Sequence, residues 1–194
     1  MNRLPREWYA RDTLTVARAL LGRVLVHQND QGVRVGGRIV ETEAYHQDGD
    51  EAAHSFGGQT ARNAVMFGPP GFLYVYFIYG MHHCLNVVTE VEGVGAAVLI
   101  RGLEPLEGEN LMQQRRGPKI TRRQLTNGPA KLCAALGVAR EHDGSDLTGT
   151  ALFIEEGTAV ADTEVVTATR IGISKSADFP WRFYIKGNDW VSKR

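Results

Sequence analysis

Few cysteines, no long apolar run and no surplus of either charge set the first limits. The chain has only two cysteines, Cys84 and Cys133. Their spacing forms no disulfide framework, so they read as buried thiols of a reducing, cytoplasmic compartment. No apolar run approaches the roughly 18 residues that a membrane span needs, and no membrane partner is expected. Met1-Asn2-Arg3-Leu4-Pro5 has no apolar signal-peptide core, which argues against secretion. Basic and acidic residues number 22 each, for a formal net charge of zero. That counts mildly against a nucleic-acid binder, for which a basic balance is usual, and implies weak non-specific affinity for DNA at physiological salt. Gly32, Gly36 and Gly37 do not make a strand–GxGxxG–helix unit, and neither GxxxxGK[ST] nor GxSxG occurs. Use of a nucleotide cofactor and a Ser-His-Asp mechanism are therefore unsupported.

What remains is an ordinary globular composition, 43% hydrophobic and 23% charged over 194 residues, enough for one domain spanning 1–194 with a full core. Residues 11–22 have the pattern of an amphipathic helix, with Asp12 as cap, Leu14, Ala17 and Leu21 on one face and Gly22 as terminator. A strand at 23–26, a turn at 29–32 and a returning strand at about 33–42 lead into Glu43 and Tyr45. Residues 46–70 read as an ordered loop, long enough to be functional. Strands follow at 72–78 and 82–89, joined by a tight tip at Tyr79-Gly80-Met81. The tip either presents an exposed partner surface or folds Tyr79 back onto the core. A strand at 96–103 carries Arg101. Helices are expected at 107–116 and 129–136, the latter started by Pro129 and stopped by Gly137. Strands at 152–154, 163–173, 183–186 and 190–192 complete the sheet, the last two joined by a turn at 187–189. The fold class is α+β: a compact domain with a mixed, mainly antiparallel sheet, flanking helices and a protruding β-hairpin.

The chemistry-bearing residues concentrate in one stretch. In an extended strand Glu41, Glu43 and Tyr45 share a face, because side chains alternate with a period of two. Two carboxylates on one face repel, so if both enter a pocket one pKa rises. Glu51-x-x-His54 resembles half of a carboxylate–histidine metal site, but the dimetal bundle motif needs it twice. His82 and Cys84 are the other conceivable ligands, and the expectation is no metal. Between Gln113 and Lys131 six basic residues (Arg115, Arg116, Lys119, Arg122, Arg123, Lys131) occur with no acidic one, so a neutral protein can still turn a basic face to phosphates. A carboxylate beside several flat rings suits hydrolysis at a sugar carbon. Many glycoside hydrolases need a second carboxylate to protonate the leaving group. A damaged, cationic base leaves readily, and then one base with a positioned water suffices, while the rings hold the nucleobase.

Residues 37–45 (Gly-Arg-Ile-Val-Glu-Thr-Glu-Ala-Tyr), 50–55 (Asp-Glu-Ala-Ala-His-Ser), 60–63 and 74–81 (Tyr-Val-Tyr-Phe-Ile-Tyr-Gly-Met) resemble the alkyladenine (3-methyladenine) DNA glycosylase family. The blocks at 103–108, 127–133 and 182–192 are similar to it as well, in the same order over nearly the whole chain. The lack of a long N-terminal extension resembles bacterial members, whereas His82-His83 stand where mammalian members are expected to be more aromatic. The resemblance implies a monofunctional, cofactor-free enzyme, cytoplasmic and monomeric, that acts on double-stranded DNA containing damaged purines. It implies Glu43 as the general base, with Arg101 helping to hold the water. Tyr45, His54 and Tyr76 would form the base pocket, and Asn86 would screen out guanine. Tyr79 would be the wedge that fills the vacated stack, with Met81 beside it. A non-catalytic module that binds distorted nucleic acid and a metal-dependent hydrolase stand as alternatives.

Overall fold

A computed structural model describes residues 2–78 and 80–193. The chain opens with a single-turn helix, α1 (Arg6–Tyr9), and then α2 (Thr13–Ala19). Asp12 caps α2: its side chain accepts from the Thr15 amide at 2.8 Å, satisfying a first-turn donor. The buried face is Thr13, Val16, Ala17 and Leu20, positions i, i+3, i+4 and i+7. Leu14, expected on that face, is only partly buried. Gly22 then turns the chain with φ 85°, and a Cβ there would lie 2.1 Å from the Thr158 carbonyl oxygen. Only glycine fits both demands.

The strands are β1 (Val24–Gln28), β2 (Arg34–His46), β3 (Leu73–Ile78), β4 (His82–Val88), β5 (Ala96–Glu107), β6 (Leu152–Glu155), β7 (Val165–Ala168) and β8 (Arg182–Ile185). They form one sheet in the order β3-β4-β5-β2-β1-β6, with β8 on β2 and β7 on β8. Their pairings are antiparallel.

β2 is the axis. β5 follows one edge of it, while the other edge is divided between β1, opposite 34–38, and β8, opposite 41–43. The changeover is at Ile39–Glu41, where the ladder with β5 also slips register. Such an irregularity bends a strand. Beyond it the two faces of β2 part in character. Val40, Thr42 and Ala44 are buried toward the core, and Thr42 Oγ1 donates to the Ala17 carbonyl on α2 at 2.8 Å. The alternate residues Glu41, Glu43 and Tyr45 share the opposite face, as the period of two requires.

Two more helices, α3 (Glu109–Arg116) and α4 (Pro129–Leu136), pack on each other, with α4 also against β4 and β5. Pro129 and Gly137 (φ 72°) bound α4 as expected. The expected strand at 163–173 is shorter: it ends at Ala168, and 190–192 is not a strand. Both departures have one cause. The backbone beyond these points bonds to side chains instead of a ladder: Ile171 N to the buried Glu43, Ser192 N to the buried Glu41 and Trp190 N to the partly exposed Asn188. The C-terminal segment thereby presses on β5 at Gly102, where a Cβ would lie 2.6 Å from the Trp190 carbonyl oxygen. Gly102→Ala is expected to destabilise the fold by about 1–3 kcal/mol through overpacking, measurable as a lower urea midpoint with an unchanged m-value.

Candidate active site

Glu41 and Glu43 are both wholly buried, at 0% exposure, yet neither lies in an apolar interior. Arg101 on β5 reaches both, with Nε 3.3 Å from Glu41 Oε1 and Nη1 3.2 Å from Glu43 Oε2. Glu41 has further partners: Arg182 Nη1 at 2.9 Å, the Ser192 amide at 2.6 Å and the Ser192 hydroxyl at 3.0 Å. This carboxylate ties β2, β5, β8 and the C-terminal segment together. Glu43 is held differently. Its Oε2 also accepts from the Tyr45 hydroxyl at 2.8 Å, and its Oε1 accepts from the Ile171 amide at 2.7 Å.

Repulsion was expected to raise one pKa if both carboxylates entered a pocket; neither lines the cavity, and what raises Glu43 is chiefly burial. It outweighs Arg101 and the Ile171 and Tyr45 hydrogen bonds that pull the pKa down. Burial, with the Glu43 charge beside it, likewise drives the Tyr45 phenol far above its usual range. Tyr45 is therefore a permanent donor to Glu43.

Against this pair opens a cavity of about 360 Å³, within the size range of small-molecule sites. Tyr45, His54, Tyr74, Tyr76, Asn86 and Arg101 line it, with Cys84, Met66, Ile78 and Leu99 as apolar wall and Pro129 and Ala130 from the start of α4 at one edge. Glu43 is not itself part of the wall; Tyr45, Arg101 and Ile171, which contact it, are. The rings brace one another. His54 stands edge-on to Tyr76, with centroids 4.6 Å apart, and its Nδ1 is 2.9 Å from the Tyr74 hydroxyl. Burial, assisted by the Arg62 charge, lowers the His54 pKa, so the imidazole is neutral at neutral pH. Asn86, 5% exposed, donates its amide to the Tyr74 carbonyl at 3.0 Å and is thus fixed in orientation. Every expected pocket residue therefore lies on one cavity; of the two expected catalytic residues Arg101 lines it, while Glu43 does not and meets it only through Tyr45, Arg101 and Ile171.

Comparison with known proteins gives the family. Residues 7–189 match the sequence profile of the family described as Methylpurine-DNA glycosylase (MPG). The chain belongs to the methylpurine-DNA glycosylase family. It is 51% identical over 192 residues to a protein of Carboxydothermus hydrogenoformans, covering 98% of this chain and 99% of that one. It is 50% identical over 203 residues to one of Desulfitobacterium hafniense, covering 99% of each chain, and 49% identical over 195 residues to one of Methanocella arvoryzae, covering 98% and 96%. Each of the three bears the name "Putative 3-methyladenine DNA glycosylase". Membership makes the chain a DNA glycosylase, a hydrolase of DNA repair.

Other parts of this glycosylase were not anticipated. Asp50 and Arg170 form a buried ion pair behind Tyr45, and Ile171, Gly172 and Ile173 supply a wall of the cavity. The sequence carried one faint signal, an arginine inside a run otherwise suited to a strand. At the hairpin tip Met81 is 71% exposed and Phe77 49%, while the expected wedge, Tyr79, lies outside the described residues. In the basic segment, most side chains have partners within the chain. Arg122 Nε is 2.9 Å from both Glu109 oxygens and its guanidinium stacks on Trp190, Arg115 donates to the Ala135 carbonyl, and Arg116 to that of Gln124. Arg123 donates to the Asp189 carbonyl and Lys131 to the Asn127 side chain, while Lys119 is exposed. No helix among the described residues is long and apolar enough to cross a membrane. Nor do three or more His, Cys, Asp or Glu side chains converge as a metal group among them.

Proposed function

We propose that this glycosylase flips an alkylated or deaminated purine out of duplex DNA, in the class of 3-methyladenine, 7-methylguanine, hypoxanthine and ethenoadenine. The purine enters the ring-lined cavity, and its N-glycosidic bond is hydrolysed there by a water that Glu43 activates. The observation that carries this reading is the position of Glu43: a buried carboxylate of raised pKa, held next to the cavity by three groups that do line it, Tyr45, Arg101 and Ile171. An ionised carboxylate offers about four lone-pair directions, and these three donors leave one for a water. The water oxygen bonds to C1′, the base departs with the electron pair of the glycosidic bond, and Glu43 takes the water's proton. A cationic alkylated base leaves as a neutral molecule, so no second carboxylate has to protonate it; hypoxanthine or ethenoadenine, neutral in the duplex, leaves as an anion and takes its proton from solvent.

The other residues have supporting roles in this scheme. Tyr45 and Tyr76 stack on the purine, and electron-rich ring faces favour a cationic one. Neutral His54 closes the side of the pocket, and Asn86, locked to Tyr74, crowds an exocyclic amine. Tyr79 and Met81 fill the gap in the duplex, as apolar or aromatic wedges commonly do. Arg115, Arg116, Lys119, Arg122, Arg123 and Lys131 lie toward the phosphates. The protein acts as a monomer without cofactor or metal and leaves an abasic site, with no lyase step.

Duplexes each bearing one of the four lesions, incubated with the protein and scored for abasic sites, test this reading. Base release from at least one alkylated or deaminated purine, undiminished by EDTA, is the expected result. Strict dependence on an added divalent cation, or no release from any of the four, would overturn it.

A further inference from the structure

The side chains of Arg170 and Asp50 are both 0% exposed and meet in a fork, Nη1 to Oδ2 at 2.6 Å and Nη2 to Oδ1 at 2.7 Å. The same guanidinium carbon lies over Tyr45, 4.6 Å from the ring centroid, with Trp181 at 5.2 Å. Its Nη1 also donates to the Ala44 carbonyl at 3.0 Å and its Nη2 to the Ser176 carbonyl at 3.2 Å. Arg170 does not line the cavity, whereas Tyr45 does, so the ring has the cation on one side and the cavity on another. The next residue, Ile171, gives its amide to Glu43. One guanidinium thus clamps the loop at Asp50, the strand between Glu43 and Tyr45, and the segment that anchors the Glu43 carboxylate.

A buried ion pair is a weak source of stability, and a well-packed apolar pair often serves the fold as well. The fork supplies something apolar packing does not, a fixed direction for the ring and the amide beside it. We propose that Arg170 and Asp50 are positioning residues of the glycosylase reaction, acting on the purine through the Tyr45 ring and on the water through the Ile171 amide and Glu43. This rests on Glu43 as the base, as set out above.

The test uses the full chain with Arg170→Lys and Asp50→Asn, and a duplex bearing whichever lesion is released fastest. Single-turnover rates are measured against pH, and the duplex dissociation constant separately. Lysine keeps the charge but has neither the fork nor the flat face. A displacement of even about 1 Å can reduce a rate about 100-fold, so a loss of about 10- to 100-fold is expected, with binding weakened by less than about tenfold. The acid limb of the rate profile should also move to higher pH, because the Ile171 hydrogen bond is one of the contacts that hold Glu43 down. The other groups facing Glu43, namely Arg101, Glu41, Tyr45, Tyr76 and Cys84, are the same in all variants. An acid limb that stays in place, whatever the rate, would overturn the proposal. If Asp50→Asn does not fold, Arg170→Lys decides by the same two outcomes. A parallel Glu43→Gln sample separates the two ideas: base release by it would reject Glu43 as the base, while an inactive Glu43→Gln beside an unmoved limb rejects the clamp alone.

Discussion

Glu43→Gln is expected to lower single-turnover base release by about 10²- to 10⁴-fold, the contribution typical of a positioned general base, while leaving the affinity for a lesion duplex within a few-fold. Glutamine has nearly the same shape: its carbonyl oxygen can still accept from the Ile171 amide, and the Tyr45 hydroxyl can turn to accept from the new NH2 group while Arg101 keeps Glu41, so the Tyr45 ring stays in place. What it lacks is the negative charge that would take a proton from water. The same substitution should not weaken the fold at neutral pH. Glu43 has a folded pKa raised by burial. In the window between its unfolded and folded pKa values the native state therefore holds more protons than the unfolded one. Stability contributed by the neutral form is complete below that window and is lost as pH rises through it. Above it the wild type keeps an ionised carboxylate in a desolvated place, a penalty the neutral glutamine does not carry. A melting temperature at or above the wild-type value, with the difference shrinking as the pH is lowered, is the expected companion to lost activity. Base release equal to the wild type would remove Glu43 from the mechanism.

Two residues earlier on the same face, Glu41→Ala should have the opposite profile, with a large loss of fold stability. Glu41 is the shared acceptor for Arg101, Arg182, the Ser192 amide and the Ser192 hydroxyl. Its removal takes from the buried Arg182 the carboxylate it pairs with, leaves Arg101 to Glu43, and deprives the Ser192 amide of its acceptor. Breaking a buried pair from one side costs about 3–5 kcal/mol, and in a chain of this size each kcal/mol lowers the melting temperature by about 2–4 °C. A drop of about 6–20 °C is expected in a thermal melt. Glu41→Gln should fall between, because its carbonyl can still accept from the Ser192 amide. A Glu41→Ala protein that melts within about 2 °C of the wild type would show that Arg101 and Arg182 find other partners. The two carboxylates look equivalent in the chain, Glu-Thr-Glu, and differ only in what surrounds them.

Several elements could be read from local patterns. The Asp12 cap, the Pro129–Gly137 bounds of α4 and the tight turn between β3 and β4 each depend on residues a few positions apart, so local chemistry sufficed. The shared face of Glu41, Glu43 and Tyr45 followed from strand alternation, although the ladder with β5 slips register on both sides of Glu41. Long-range demands defeated local patterns at the C-terminal end. Residues 169–173 and 190–192 have strand-like composition, but their amides bond to Glu43 and Glu41, more than a hundred residues away in sequence. Asp50 offered no signal either, being one acidic residue in a polar turn. Its partner is 120 positions later. The basic run at 113–131 was legible as charge, yet not as the set of internal contacts that engages most of it.

By itself the sequence determined the kind of chemistry and its cast: a carboxylate, an arginine and several rings in ordered blocks, because residue type and strand period are local properties. Tertiary structure alone decided that burial raises the Glu43 pKa, that Glu41 ties the sheet together, and that an ion pair from two distant loops backs Tyr45. Burial and hydrogen-bond partners fix those outcomes, and both exist only once the chain has brought β2, β5, β8 and its last turn together.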